Sequence, residues 1–203
     1  MPTIAVLDYG IGNLRSAQKA LERVGAQAVL TADPLVVRSV DGVVLPGVGN
    51  FGKCIDALRR TGVDRMVLDT IEDGRPFLGI CIGMQLLFEQ SEESPSHKGL
   101  GVFQGGVKIL SSEVKRPQMQ WNSIKVHKPT QMLKGLDGEW LYFVHSYAAD
   151  IATDSEIVAA TCEYGGQLIA AVQEENVFAT QFHPEKSSST GSTFLQNFVK
   201  SCG

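Results

Sequence analysis

The chain has little that would take it to a membrane or to nucleic acid. No run approaches the roughly 18 apolar residues of a membrane-spanning helix, and the opening "MPTIAVLDYG" has neither a basic stretch nor an apolar run of signal length. Lys and Arg number 18 against 22 Asp and Glu, a formal charge of -4, so the basic face that phosphate backbones or anionic lipids require is missing. A cytosolic protein acting on a small or neutral ligand is the expectation, with no nucleic acid and no membrane as partner. Metal-ligand spacing is missing too. Cys54, Cys81, Cys162 and Cys202 are scattered, as are His97, His127, His145 and His183, with no Cys-x-x-Cys or His-x-x-x-His among them. Disulfide staples are unnecessary in a chain of 203 residues with 43% apolar content, so free thiols, no metal and no cofactor are expected. Repeats, low-complexity tracts and composition breaks are also absent, which predicts one domain over residues 1–203.

What the chain does have is periodicity. Its first hundred residues alternate β-rich runs, "TIAVLD" (3–8), "QAVL" (27–30), "GVVL" (42–45) and "PFLGI" (76–80), with amphipathic segments. Leu14, Ala17, Leu21 and Val24 form one helical stripe, and Val63, Met66, Val67 and Ile71 another, the pattern of a parallel sheet with crossover helices. After Cys81, the residues Ile82, Met84, Leu86, Leu87 and Phe88 predict a buried helix. From residue 100 strands dominate, at 106–110, 123–127, 140–144, 156–162, 168–172 and 177–182, predicting an antiparallel extension of the same sheet. A last helix carries Phe194, Leu195, Phe198 and Val199 inward, with Ser192 or Thr193 as its cap.

Glycines flank Cys81 in "LGICIGMQLL", where a strand ends and the buried segment begins. A sharp elbow there brings backbones close together and leaves no room for side chains beside it. It also presents the sulfur at unpaired N–H groups, which favours the thiolate. The plain alternative is a small buried hydrophobe. A base is available in "QFHPEKS": Pro184 biases His183 to extended angles, and residues i and i+2 of an extended chain share a side. Glu185 can then fix the tautomer of His183, the logic of a Cys-His-Glu triad. In "LPGVGNFG", Gly47, Gly49 and Gly52 match a dinucleotide fingerprint by letter, but Pro46 opens the loop and the next strand ends at the cysteine. The loop is better suited to aim an N–H at a developing oxyanion, from Val48 or Gly49, with Ile82 as second donor. "DYGIGN" lacks the third glycine and reads as a plain turn.

Together "LPGVGNFG", "LGICIGMQLL", "YFVHSY" and "QFHPEKS", in this order and spacing, resemble the class I glutamine amidotransferases over about residues 4 to 199. Within that class "DYGIGN", "PGVGNFG" and "QMQWNS" are similar to glutaminase subunits that serve a cyclase in histidine biosynthesis. The resemblance implies an α/β, three-layer, flavodoxin-like fold with a mostly parallel sheet and an antiparallel extension. It implies Cys81, His183 and Glu185 as the triad, and glutamine held by Gly49, Gln85, His145 and Ser146. It further implies a heterodimer with a (β/α)8-barrel cyclase, contacted by Asn13, Met119, Trp121, Tyr142 and Lys186. One departure stands out: where the family has Pro-His-Met-Gly-Trp-Asn, this chain has Gln118 and Gln120 at the His and Gly positions, and Gln120 would be strained if that position needs a positive φ.

The expected reaction is hydrolysis of glutamine to glutamate and ammonia through a cysteine thioester. Two rivals stay open: a glutaminase serving anthranilate, guanylate or pyridoxal phosphate synthesis, and a non-catalytic binding module on the same fold.

Overall fold

The structure is a computed structural model describing residues 1–152 and 155–203. The first half runs β1 (Thr3–Leu7), α1 (Leu14–Arg23), β2 (Gln27–Thr31), α2 (Pro34–Ser39), β3 (Gly42–Gly47), α3 (Phe51–Thr61), α4 (Val63–Glu72) and β4 (Phe77–Cys81). A one-turn helix α5 (Ile82–Gln85) and the strands β5 (Phe88–Ser91), β6 (Phe103–Ile109), β7 (Gln118–Ser123) and β8 (Lys125–Val126) follow. The rest is β9 (Trp140–His145), β10 (Tyr147–Asp150), β11 (Val158–Glu163), β12 (Gln167–Glu174), β13 (Val177–Thr180), a 3-10 turn at Pro184–Lys186, and α6 (Ser188–Ser201).

Eight strands form the main sheet in the order β2-β1-β3-β4-β13-β12-β11-β8. The first five are parallel and the last three antiparallel, so the sheet is doubly wound in the flavodoxin manner with an antiparallel edge. Strand β1 shows why. Ile4, Ala5, Val6 and Leu7 are all buried, because both faces of a parallel sheet are covered. Ile4 and Val6 join the layer of α1 and α6, with Leu21, Phe194 and Phe198. Ala5 and Leu7 join the opposite layer, where Phe51, Ile55 and Leu58 of α3 pack. The result is three layers with one apolar core on each face of the sheet.

Four sequence expectations need correction. The buried helix after Cys81 is a single turn, and Phe88 belongs to β5, where its ring lies 5.6 Å from Phe103. A continuous apolar run reports burial and does not separate helix from strand. The strands near 106–110 and 140–144 lie outside the main sheet: β6 pairs with β5 and β10, and β9 pairs with β7 in a separate ribbon. The run at 177–182 yields β13, which is parallel to β4 rather than part of the antiparallel extension. The last helix starts at Ser188, after Ser187, so neither Ser192 nor Thr193 caps it. Helix α3 went unread although Phe51, Cys54, Ile55 and Leu58 are spaced as one buried stripe. Gln120 lies in regular β7 and is not among the residues with positive φ, so the expected strain does not arise.

Candidate active site

Strand β4 delivers Cys81 to the carboxyl end of the sheet, where open α/β folds place their sites. The cysteine has φ 56 and ψ -109, a conformation that costs a non-glycine residue on the order of 1–3 kcal/mol. Its glycine neighbours make the bend possible. A Cβ on Gly79 would come within 2.8 Å of the Gly83 carbonyl oxygen, and one on Gly83 would collide with the Leu45 carbonyl. One turn of helix carries little dipole, so α5 favours a thiolate less than a full helix would.

Parallel pairing of β13 beside β4, with Thr180 level with Ile80, brings His183 round to the same end. The His183 backbone N–H donates to Tyr142 O at 2.9 Å. Ser187 Oγ donates to His183 O at 2.6 Å and accepts from Tyr142 N at 2.9 Å, so the turn is tied to β9. His183 Nδ1 lies 2.7 Å from Glu185 Oε1, with both side chains nearly fully buried. Its Nε2 has no hydrogen-bond partner among the described residues. Burial by itself lowers the imidazole pKa; the nearby Cys81 and then Glu185 outweigh it and push the value up to about 10. The pair therefore holds a proton on His183 at neutral pH.

A cavity of about 430 Å³ opens over these groups. Asn13, Val48, Gly49, Cys81, Ile82, Gln85, His145, Ser146, His183 and Lys186 line it, while Glu185 stands behind His183. His145 is buried, and its Nδ1 donates to Tyr147 O at 2.8 Å, leaving Nε2 as a bare acceptor. Burial drives its pKa down to about 4, against the Tyr147 carbonyl and with help from His183, so the ring is neutral. Gln85 Nε2 donates both to Tyr147 O and to Gln181 Oε1, each at 2.9 Å. Among the described residues its Oε1 has no partner, so toward a ligand Gln85 can only accept.

Gly49 has φ 110, a conformation that leaves the loop to glycine. The Val48 carbonyl turns toward α3, 3.7 Å from Cys54 Sγ, and burial raises the Cys54 pKa to about 11, keeping the S–H that donates. In a trans peptide the following Gly49 N–H then points away from α3.

Sequence reading missed Glu93. Its carboxylate lines the cavity and accepts from Phe51 N at 2.6 Å, at the start of α3. Ser94 Oγ accepts from Gly52 N and Asn50 Oδ1 from Lys53 N, both at 3.1 Å. These side chains occupy the N–H groups a dinucleotide phosphate would need, with a carboxylate among them, which rules against the fingerprint reading of Gly47, Gly49 and Gly52. In "QSEESPS" Glu93 looks like solvated charge, and only its distance of twelve residues from Cys81 hints otherwise.

The expected interface residues fall in two places. Asn13 and Lys186 sit on the cavity wall. Met119, Trp121 and Tyr142 lie on the β7–β9 ribbon, where Trp121 pairs across the strands with Tyr142, ring to ring at 6.2 Å. Met119, Trp121 and Trp140 are exposed there, and Val144 carries the same face into the cavity wall.

A doubly wound sheet bearing a strained cysteine beside a buried His-Glu pair is the arrangement of a class I glutamine amidotransferase. The family model for glutamine amidotransferase class-I matches residues 5–202, and the chain belongs to that family, within its HisH branch. The imidazole glycerol phosphate synthase subunit HisH of Syntrophotalea carbinolica is 48% identical over 96% of this chain and 98% of its own length. That of Methanothermobacter thermautotrophicus is 44% identical over 97% and 98%. Among solved structures, a glutamine amidotransferase aligns at TM-score 0.77 with 22% identity, covering 98% of both chains. PurLQS from Thermotoga maritima aligns at 0.76 with 21%, covering 99% of this chain and 97% of the other, and at such identities both speak for the fold alone.

Proposed function

We propose that this chain is the glutaminase subunit of imidazole glycerol phosphate synthase, and that Cys81, His183 and Glu185 carry its chemistry. The observation behind this is the shared cavity: a cysteine at a strained elbow, a buried imidazole on a carboxylate at 2.7 Å, and a second carboxylate, Glu93, in the wall.

Glutamine enters with its α-ammonium between Glu93 and Gln85 Oε1, both of which accept, and its amide over Cys81. The thiolate attacks the amide carbonyl carbon. Negative charge moves to the oxygen, which the N–H groups of Ile82 and the Val48–Gly49 loop receive. Ile82 opens a helical turn, so its N–H has no acceptor within that turn. His183 passes its proton to the amide nitrogen, the C–N bond breaks, and ammonia leaves a thioester on Cys81. His183, now neutral, takes a proton from water, the hydroxide adds to the thioester, and glutamate departs as the thiolate reforms. Glu185 holds the ring and its tautomer throughout.

Ammonia released into neutral water would be protonated and lost as a nucleophile. The exposed apolar face of the ribbon, continuous with the cavity wall through Val144, supports direct transfer to a docked partner. That partner is a (β/α)8-barrel cyclase, joined as a cytoplasmic heterodimer that as a whole acts as a lyase forming imidazole glycerol phosphate and AICAR. The HisH relatives, named as subunits of that synthase, support the same reading. The test is ammonia release from glutamine by the full chain, with and without the cyclase carrying its nucleotide substrate. Release rises steeply in the complex and vanishes in Cys81→Ala; survival in that variant identifies a different nucleophile. Activation by an anthranilate, guanylate or pyridoxal phosphate acceptor enzyme instead reassigns the pathway.

A further inference from the structure

The mechanism above uses the face of Cys81 that meets the cavity. On the other side lies Gln181, wholly buried and outside the cavity wall. Its place follows from strand register: β13 runs beside β4 with Val177 level with Phe77 and Thr180 with Ile80, so the next residue stands level with Cys81. Its Nε2 is 3.6 Å from Cys81 Sγ.

Amide nitrogen and oxygen have nearly the same shape, so the assignment rests on partners. Here the partners leave one solution. The Tyr147 carbonyl only accepts, and it takes His145 Nδ1–H and one N–H of Gln85. Gln85 must therefore show its NH2 group on this side, and its second N–H meets Gln181 Oε1 at 2.9 Å. With its oxygen committed, Gln181 turns its NH2 group to the sulfur. A flipped Gln181 would set NH2 against NH2 at one end and lose its donor at the other.

We propose that Gln181 is a catalytic residue: its Nε2–H donates to Cys81 Sγ and stabilises the thiolate, both before attack and as the thioester breaks. A buried thiolate needs donors aimed at it, and the single turn of α5 supplies little. Gln181 is held for this by a series of hydrogen bonds that starts at His145 and ends at the sulfur. The inference deepens the glutaminase reading and rests on it for Cys81 as the nucleophile.

The test is alkylation of Cys81 by iodoacetamide in the full chain, followed at the Cys81 peptide by mass spectrometry as a function of pH. Gln181→Met keeps length and bulk and removes the donor. Gln181→Glu keeps the shape and the acceptor toward Gln85 and puts an oxygen against the sulfur. Gln181→Met leaves the titratable and charged groups around Cys81 as they are: His183 with Glu185 from the β13 side, His145 from β9, Tyr9 beyond β1, Cys54 from α3, and Glu93 and Lys186 on the cavity wall; Gln181→Glu adds one carboxyl beside the sulfur. The expected result is a midpoint about one pH unit higher in Gln181→Met, a tenfold loss of thiolate at lower pH, and a larger rise in Gln181→Glu. A residue that only packs would lower the melting temperature and leave the midpoint in place, and an unchanged midpoint in either folded variant overturns the proposal. Loss of ammonia release in Cys81→Ala, measured alongside, tests the glutaminase reading separately.

Discussion

At the floor of the cavity His145, Tyr147, Gln85, Gln181 and Cys81 form one unbroken series of donors and acceptors, whereas the outer face of the β7–β9 ribbon leaves Met119, Trp121 and Trp140 in water. The floor is finished within the chain. Its polar groups are oriented before any ligand arrives, so little reorganisation is left for the chemical step. The ribbon is unfinished, since burying a side chain of that size stabilises by about 2 kcal/mol and here awaits a second surface. The two regions share strand β9, which carries Tyr142 and Trp140 in the ribbon and ends at His145 in the floor, and on the proposed function they divide the work: one serves the chemistry, the other the partner that takes the product.

Breaking the floor has the largest effect. Glu185→Gln sets an amide N–H where the oxygen that receives His183 Nδ1–H should be, or drives the ring to the wrong tautomer. Ammonia release by the complex should fall about 10³- to 10⁴-fold in kcat, as when other triads lose this carboxylate. A kcat within tenfold of the parent chain would remove Glu185 from the mechanism. On the ribbon, Trp121→Ala should weaken cyclase binding about 30-fold, the scale of a central aromatic anchor. Calorimetric titration measures this, and the same variant should alkylate at Cys81 with the parent pH profile. A shifted profile would mean that the two regions are not separable. Glu93→Gln is smaller and touches the cavity wall away from the ribbon. It keeps an acceptor for Phe51 N but loses the charge facing the α-ammonium, so KM for glutamine should rise about tenfold, roughly 1.4 kcal/mol, with kcat nearly constant. A change in kcat of the same size as that in KM would place Glu93 in the chemical step.

The two regions also differ in how far the sequence reveals them. Cys81, His183 and Glu185 could be singled out because each carries a local mark, glycines at an elbow or alternate residues ahead of a turn, that physical chemistry translates into geometry. The parallel half of the sheet was legible for the same reason, since strands buried on both faces read as short apolar runs. Gln85, Gln181 and Glu93 carry no such mark. An amide on a helical turn or strand end looks like filling, and its value emerges only when residues 96 positions apart close a hydrogen bond, as Gln85 and Gln181 do. Strand partnership was hidden too: alternation tells which side of β6 or β9 faces inward and says nothing of which strand lies alongside. The ribbon itself was not foreseen, since 140–144 read as part of the main sheet, and its docking residues were named only through family resemblance, because Trp121 by itself fits a core as well as a docking face.

His145 closes the floor at the end away from the sulfur and gives the smallest effect, one that separates preorganisation from catalysis. Its pKa is about 4 in the folded chain, lowered chiefly by burial, against about 6.5 for an ordinary histidine. Between those values the unfolded chain binds a proton that the folded chain refuses, so stability increases with pH from 4 to 6.5 and is level above. His183 behaves oppositely: with a folded value up to about 10, its contribution is complete below pH 6.5 and is lost as pH rises through 10. Of the two histidines, His145 contributes on the acid side and His183, through Cys81 and Glu185, on the alkaline side. His145→Asn keeps a donor near the Nδ1 position for Tyr147 O and removes the titration. Urea unfolding from pH 7 to pH 4.5 should show the variant losing about 2 kcal/mol less stability than the parent, out of a ceiling of about 3 kcal/mol. Other carboxylates titrate equally in both chains and cancel in the difference. Parallel stability curves over that range would mean that His145 takes up its proton in the folded chain at Nε2, and that burial does not keep the ring neutral beside the cavity.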